Sequence, residues 1–295
     1  MKKRRFYILD VFAEKKYAGN QLGVFRDAAD LTSDEMQAIA REMNYSETTF
    51  ILSEEQQSGG YEVRIFTPAE EVPFAGHPTL GTAFLIQQKI IGRPVEKVIL
   101  NLKAGPIPVS FVYANDSLEY LWMKQNPPEF GRTFDQEIIA KALTLEKQDL
   151  LDKYPVQEVS TGLPFLIAPL RDLSAVKKAR INKEIFFDLI KTSQAKSILV
   201  FAPETYDPEN DLNVRVFVDY YGIPEDPATG SANGCLAAYL IKNNYFDMKR
   251  IDIRVEQGYE IGRESLLLLR SESNNDVIEV NVGGRVMLTA EGFFY

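Results

Sequence analysis

The chain runs to 295 residues with a formal net charge of -9 at pH 7, an acidic balance that argues against broad binding to nucleic acid or to an anionic membrane surface. Its single cysteine, Cys235, and single histidine, His77, exclude an intrachain disulfide, a thiolate zinc cluster, a two-thiol mechanism and a His-rich metal site. Hydrophobic residues at 45% and charged residues at 25% are ordinary for a soluble globular protein, and the length suits two domains with a core each. Met1–Arg5 is basic, but the apolar run behind it breaks at Asp10, too short for a signal peptide. No apolar stretch approaches the roughly 18 residues of a membrane span. A metal held by carboxylates alone stays open, though no acidic ligand spacing stands out. Neither a P-loop nor a dinucleotide fingerprint occurs. The expectation is a soluble, cytoplasmic protein.

Taken in order, Phe6–Phe12 reads as a strand, Tyr17-Ala18-Gly19-Asn20 as a turn, and Leu22–Phe25 as a second strand. Thr32 and Glu35 form a capping-box pattern that opens a helix running to about Met43. Met36, Ile39, Ala40 and Met43 lie on its expected buried face, and Asn44-Tyr45 ends it. The segment Ser46–Leu52 is β-prone, and Glu47 is the odd residue in it, a carboxylate ahead of β-branched and aromatic neighbours. Taken alone, Glu47 reads first as a solvent-facing strand residue. Pointing inward, burial would disfavour its charged form and suit it to proton transfer.

Tyr61–Phe66 follows as a strand, then a helix from about Pro78 to Gln88 that is apolar nearly all round. Val95–Leu102, Ile107–Tyr113 and Leu118–Lys124 read as successive strands with a tight turn at Asn115-Asp116, and Gln125–Pro128 as a linker. Beyond it come a helix at Asp135–Leu143, strands at Pro155–Ser160 and Leu163–Ala168, a helix at Lys183–Thr192 and a strand at Ala195–Ala202. A second all-round apolar helix spans Ala232–Ile241 and holds Cys235, read as core. Ile251–Glu256, Leu266–Arg270, Val277–Val282 and Val286–Thr289 are the last strands, with Gly283-Gly284 as a hairpin turn.

Two stretches echo each other. Arg64-Ile65-Phe66, a loop, then Gly76-His77-Pro78-Thr79 opens one apolar helix; Arg215-Val216-Phe217, a loop, then Asp226-Pro227-Ala228-Thr229-Gly230-Ser231 opens the other. The first turn of a helix leaves amides unpaired and carries partial positive charge, so glycines at both mouths suit the binding of a carboxylate. His77 and Asp226 stand beside the two mouths. Arg64 and Arg215 read equally as structural ion pairs or as ligands, Ser231 as a helix-start hydroxyl or a ligand, and His77 also as a backbone-satisfied cap.

With these residues placed, the chain resembles the phenazine-biosynthesis PhzF-like isomerase family, of diaminopimelate epimerase-like fold. The resemblance rests on Asp10-Val11-Phe12 with Tyr17-Ala18-Gly19-Asn20, on Asn44-Tyr45-Ser46-Glu47-Thr48-Thr49-Phe50, and on Arg64–Pro68. It continues through Phe74–Thr79, Glu225–Ala232, and Glu256-Gln257-Gly258 followed by Gly262-Arg263. Gln21 and Glu264 stand where the family usually has proline. The resemblance implies an α+β fold of two pseudo-symmetric domains, each a β-barrel-like sheet around a central helix. The domains would be 1–118 with a C-terminal strand at about 284–295, and 119–283, with the site in the cleft between them.

It further implies a cofactor-independent isomerase that shifts a proton within a small carboxylated substrate. Glu47 would be the catalytic acid and base, supported by His77 and Asp226. Gly76, Gly230, Ser231, Thr229 and Asn20 would bind substrate. The expected partners are a small carboxylated metabolite and a second copy in a homodimer, with no nucleic acid and no membrane. The rival expectation is a non-catalytic member that kept the cleft to bind a metabolite or a protein.

Overall fold

Strand register decides how the chain begins to fold. In the computed structural model, which describes residues 3–275 and 277–295, β1 (Arg4–Val11) buries Tyr7, Leu9 and Val11 and pairs antiparallel with β2 (Asn20–Phe25). Met1 and Lys2 of the basic start lie outside the described residues. The helix α1 (Ser33–Met43) carries the expected capping box: the Thr32 hydroxyl accepts from the Glu35 amide at 3.2 Å, and Glu35 accepts from the Thr32 amide at 2.8 Å. Asn44 ends it in the left-handed conformation. Met36 and Ala40 are buried, but Ile39 and Met43 are only half-buried, because the helix offers a narrow stripe to the cluster around Phe25, Phe50 and Phe66.

Next, β3 (Glu47–Ile51) lies parallel to β2 and antiparallel to β4 (Tyr61–Phe66). The chain turns back through β5 (Glu71–Val72), enters α2 (Gly76–Ile86), and returns as β6 (Lys97–Leu102) parallel to β4. A meander of β6, β7 (Gly105–Ala114) and β8 (Ser117–Lys124) follows. Asn115 and Asp116 make its tight turn with φ of 49° and 61°.

The second half opens with β9 (Glu129–Phe134), α3 (Gln136–Ala142), β10 (Val156–Ser160), β11 (Pro164–Pro169), α4 (Leu173–Lys178) and α5 (Lys183–Ile190). Then β12 (Ile198–Ala202) runs parallel to β11 and antiparallel to β13 (Leu212–Val218). The three short helices bury Ile139, Val176 and Phe186 in one apolar cluster with Leu166 and Val200. From β13 the chain turns back through β14 (Ile223–Asp226), enters α6 (Gly230–Lys242), and returns as β15 (Arg250–Gln257) parallel to β13. This repeats the order of β4, β5, α2 and β6, so the echo in sequence is an echo in topology. The antiparallel β16 (Ser265–Asn274) buries all four residues of the run Leu266–Leu269. It is followed by β17 (Val277–Gly284) and β18 (Val286–Phe294).

Both central helices are sheathed in protein. All of α2 except Phe84 is buried against β1, β2, β3, β6 and β7, and α6 from Ala232 to Ile241 is buried against β10, β11, β15 and β16. Helices apolar on every face are stable only in such a setting. Each begins two residues earlier than its periodicity suggested, at Gly76 and Gly230 themselves. Pro78 is tolerated there because a first-turn amide has no intrahelical partner to lose. Burial pushes the Cys235 thiol up to about 12, which leaves it an inert core residue.

Gly283-Gly284 is not a hairpin turn. Both residues are extended at the end of β17, and a Cβ on Gly283 would meet the Trp122 ring at 2.5 Å and the Leu121 carbonyl oxygen at 2.7 Å. The glycine is there for close approach of the chain to β8. The final strand also outruns its expected end at Thr289: β18 continues to Phe294 and pairs antiparallel along the whole of β1, with one bulge at Ile8/Leu9. Contacts divide the chain into two compact units, Met1–Met123 with Gly283–Tyr295, and Lys124–Val282. Among the described residues no helix is long and apolar enough to cross a membrane.

Candidate active site

Glu47 is the first residue of β3, opposite Leu22 of β2, and every residue after it in the strand is buried. Its own side chain is 19% exposed, so the carboxylate turns inward and not to bulk solvent. One carboxylate oxygen, Oε2, lies 3.5 Å from Nδ1 of His77, whose Nε2 lies 3.3 Å from the Gln21 carbonyl oxygen. Proximity to a carboxylate would favour an imidazolium, but burial of the ring outweighs it. Desolvation pushes His77 down to about 3, against a smaller upward pull from the Gln21 carbonyl.

His77 is therefore neutral near pH 7, and the contact with Glu47 is not a salt bridge. A neutral imidazole carries one N–H, yet it faces two oxygen acceptors. With the proton on Nε2 toward Gln21, Nδ1 presents a lone pair to Glu47, an arrangement that welcomes a proton arriving on the carboxylate. At 3.5 Å the two groups are farther apart than a formed hydrogen bond.

His77 owes its position to the helix it begins. Ala75 and Thr229, the residues preceding α2 and α6, make no side-chain cap, whereas Thr32, Asp135, Asp172 and Asn182 cap α1, α3, α4 and α5. Uncapped starts leave the first-turn amides for another acceptor. The loops that lead to them are braced alike. Arg64 grips Glu71 through two bonds of 2.8 Å, and Arg215 grips Glu225 at 3.0 and 2.7 Å while also donating to the carbonyls of Val176 and Ala179. Both arginines are structural partners of their own loops.

In the second unit Asp226 ends β14 with its side chain buried, and Oδ2 accepts from the Thr229 hydroxyl at 2.5 Å. Behind them stands Gln257, fully buried at the end of β15. Its amide donates to the Asp226 carbonyl at 2.8 Å and to Thr229 Oγ1 at 3.1 Å; its oxygen accepts from the Thr229 amide at 3.1 Å and from Asn233 at 2.8 Å. Gly258 follows with φ +81°, and a Cβ there would run into the carbonyl oxygens of Arg263 and Pro227. The neighbouring Glu256, fully buried, is satisfied by the amides of Tyr206 and Asp207 and by Asn210 and Asn213.

Of the residues singled out in the sequence, Glu47 and His77 meet directly, and Asp226 meets Thr229. Gly76 and Gly230 are the first residues of their helices and Ser231 the second of its own. Asn20 is buried at the start of β2, one residue before the Gln21 carbonyl that faces His77. Gln257 carried a motif in the sequence but no role; two polar residues in a row, where the strand's charged–apolar alternation breaks, were the signal. Two surface grooves lie elsewhere, one at Arg64, Glu71 and Lys103 and one at Phe84 and Arg285, and neither includes Glu47 or His77. Among the described residues no three His, Cys, Asp or Glu side chains group as a metal site.

The sequence signature of phenazine biosynthesis-like proteins matches residues 9–292. The chain is 34% identical over 296 residues to an uncharacterised isomerase of Clostridium acetobutylicum, covering 98% of this chain and 97% of that one. It is 34% identical over 295 residues to the trans-2,3-dihydro-3-hydroxyanthranilate isomerase of Pseudomonas chlororaphis, covering 97% and 98%. A crystal structure of a Bacillus anthracis phenazine biosynthesis protein of the PhzF family superposes with a TM-score of 0.91 at 29% identity, each chain covered fully.

Proposed function

The chain belongs to the phenazine biosynthesis-like, or PhzF, family and is an isomerase, and from that premise we propose that it moves a proton within a small carboxylated substrate, without a cofactor, using Glu47 as general acid and base. The observation that carries the reading is the inward-turned Glu47 carboxylate held 3.5 Å from a neutral His77. Glu47 takes a proton from a carbon next to an electron-withdrawing group. The C–H electron pair becomes a new double bond, the former double bond shifts, and the far carbon takes the proton back from Glu47. Nothing is oxidised or reduced, so the step calls for no redox partner. His77 steadies Glu47 once the carboxylate has taken the proton, since its unprotonated nitrogen can receive a hydrogen bond from the carboxylic acid.

In the same reading the uncapped first turns at Gly76 and at Gly230-Ser231 take the substrate carboxylate and the negative charge that develops during transfer. Asp226 takes an amino or hydroxyl group, and Asn20 and Thr229 line the binding positions. The name of the Pseudomonas relative supplies the first probe, because trans-2,3-dihydro-3-hydroxyanthranilate carries a carboxylate, an amine and a hydroxyl on one partly reduced ring. Incubation in deuterium oxide with that compound, and then with a panel of small amino and hydroxy acids, should yield product carrying deuterium at a single carbon to the extent that the proton on Glu47 exchanges with solvent before its return. Substrate deuterated at the donor carbon should carry its label to that same carbon to the remaining extent. Turnover that leaves the donor-carbon label where it began would count against a proton shift through Glu47. Saturable binding with no turnover anywhere in the panel would favour a metabolite-binding role. Cytoplasmic location and a homodimer belong to the same proposal, to be read by fractionation and light scattering.

A further inference from the structure

The Thr229 hydroxyl has a single hydrogen, and the direction in which it points is fixed by a residue 28 positions away in sequence. Gln257 cannot be turned end for end. Its Nε2 faces the Asp226 carbonyl, which can only accept, and its Oε1 faces the Thr229 amide, which can only donate. The amide is therefore locked, and its second N–H is committed to Thr229 Oγ1 at 3.1 Å. A hydroxyl that accepts from Gln257 must spend its own hydrogen elsewhere, and Asp226 Oδ2 stands 2.5 Å away. Asn233 closes the set, donating to the same Gln257 oxygen and to the Thr229 carbonyl.

We infer that Gln257 is a positioning residue that sets the orientation of the Asp226 carboxylate through the Thr229 hydroxyl. The inference rests on the reading of Asp226 as a substrate-facing group. The chain of donors runs one way, from Gln257 to Thr229 to Asp226, so the carboxylate is held as an acceptor in one rotamer before any substrate arrives. Such preorganisation spares the substrate the work of ordering the group. Gln257 also ties the backbone of the same loop, and a purely structural staple would use those backbone bonds alone.

The test separates the two. In Thr229→Val the bonds from Gln257 to the Asp226 carbonyl and from the Thr229 amide to Gln257 persist, and only the hydroxyl link is lost. Without substrate, the Asp226 carboxyl carbon signal and one of the two Gln257 side-chain amide protons should both shift in Thr229→Val and return in Thr229→Ser. With the hydroxylated anthranilate probe, Thr229→Val and Gln257→Glu should each lower kcat/KM by about tenfold or more, as expected for a bond to a charged group. The double variant should fall little further, because both changes cut one chain. A Gln257 amide signal untouched by Thr229→Val overturns the inference, as do losses that multiply in the double variant. If the wild type turns over no probe, the functional reading fails while the resonance shifts still decide the role of Gln257. If Gln257→Glu does not fold, the Thr229→Val and Thr229→Ser spectra decide it alone.

Discussion

His77 gives the sharpest check on the electrostatics of the site, because it is the only histidine in the chain and its signals need no assignment by comparison. Burial lowers it from 6.5 to about 3. The unfolded chain then binds a proton at His77 more readily than the folded one, so this contribution to stability is present above about pH 6.5 and is lost as pH falls toward 3. Working the two values through the linkage relation, the fall from pH 7 to pH 4 removes about 3 kcal/mol through this one ring. Proton NMR of the untagged protein should show an imidazole that does not titrate from about pH 8 to pH 5. Urea unfolding at about pH 7 and pH 4 should show His77→Gln losing roughly 3 kcal/mol less than the wild type over that interval. The carboxylates that titrate in the same range are common to both proteins and, Glu47 beside the ring apart, cancel. A His77 midpoint near 6.5, or equal losses in the two proteins, would refute the view that burial dominates over the neighbouring Glu47.

Replacing Glu47 with Gln should lower turnover by about a hundredfold to ten-thousandfold while the unfolding midpoint stays put, and near-normal turnover would remove Glu47 from the chemistry. The two loop-bracing arginines should differ in weight. Arg215 and Glu225 are 4% and 6% exposed, so Arg215→Met strands a buried carboxylate and should cost about 3–5 kcal/mol in urea unfolding. Arg64 and Glu71, at 26% and 23%, feel more water, and Arg64→Met should cost about 1 kcal/mol; equal losses would contradict the ranking. Gly283→Ala pushes a methyl group against the Trp122 ring and should cost about 1–3 kcal/mol with a change in tryptophan emission, whereas a neutral result would mean the strands separate freely there.

What could be read from the sequence was whatever depends on near neighbours. The Thr32–Glu35 box, the Asn115-Asp116 turn and the all-round apolar helices are local patterns; the first two stand where their spacing put them and the helices start two residues early. What depends on another strand's approach was hidden. Gly283 looks like a turn residue until Trp122 is beside it. Gln257 looks like an ordinary strand end until the loop of Asp226 folds over it. β9 escaped notice because most of its residues are exposed and carry no apolar alternation, and the tail of β18 because its burial is partial along its length.

The duplicated scaffold sharpens this contrast. Strand, bracing arginine, short return strand, uncapped helix and parallel strand recur in the same order, so the frame is written twice in the chain. The side chains at the two helix starts are not written twice. His77 meets a carboxylate that arrives from β3, whereas Thr229 meets one that ends the return strand itself, where the first copy has Val72. Each helix start stands beside one acid with one neutral partner, and the acids come from strands at different places in the repeat. One frame thus presents a carboxylate at each start by a different route.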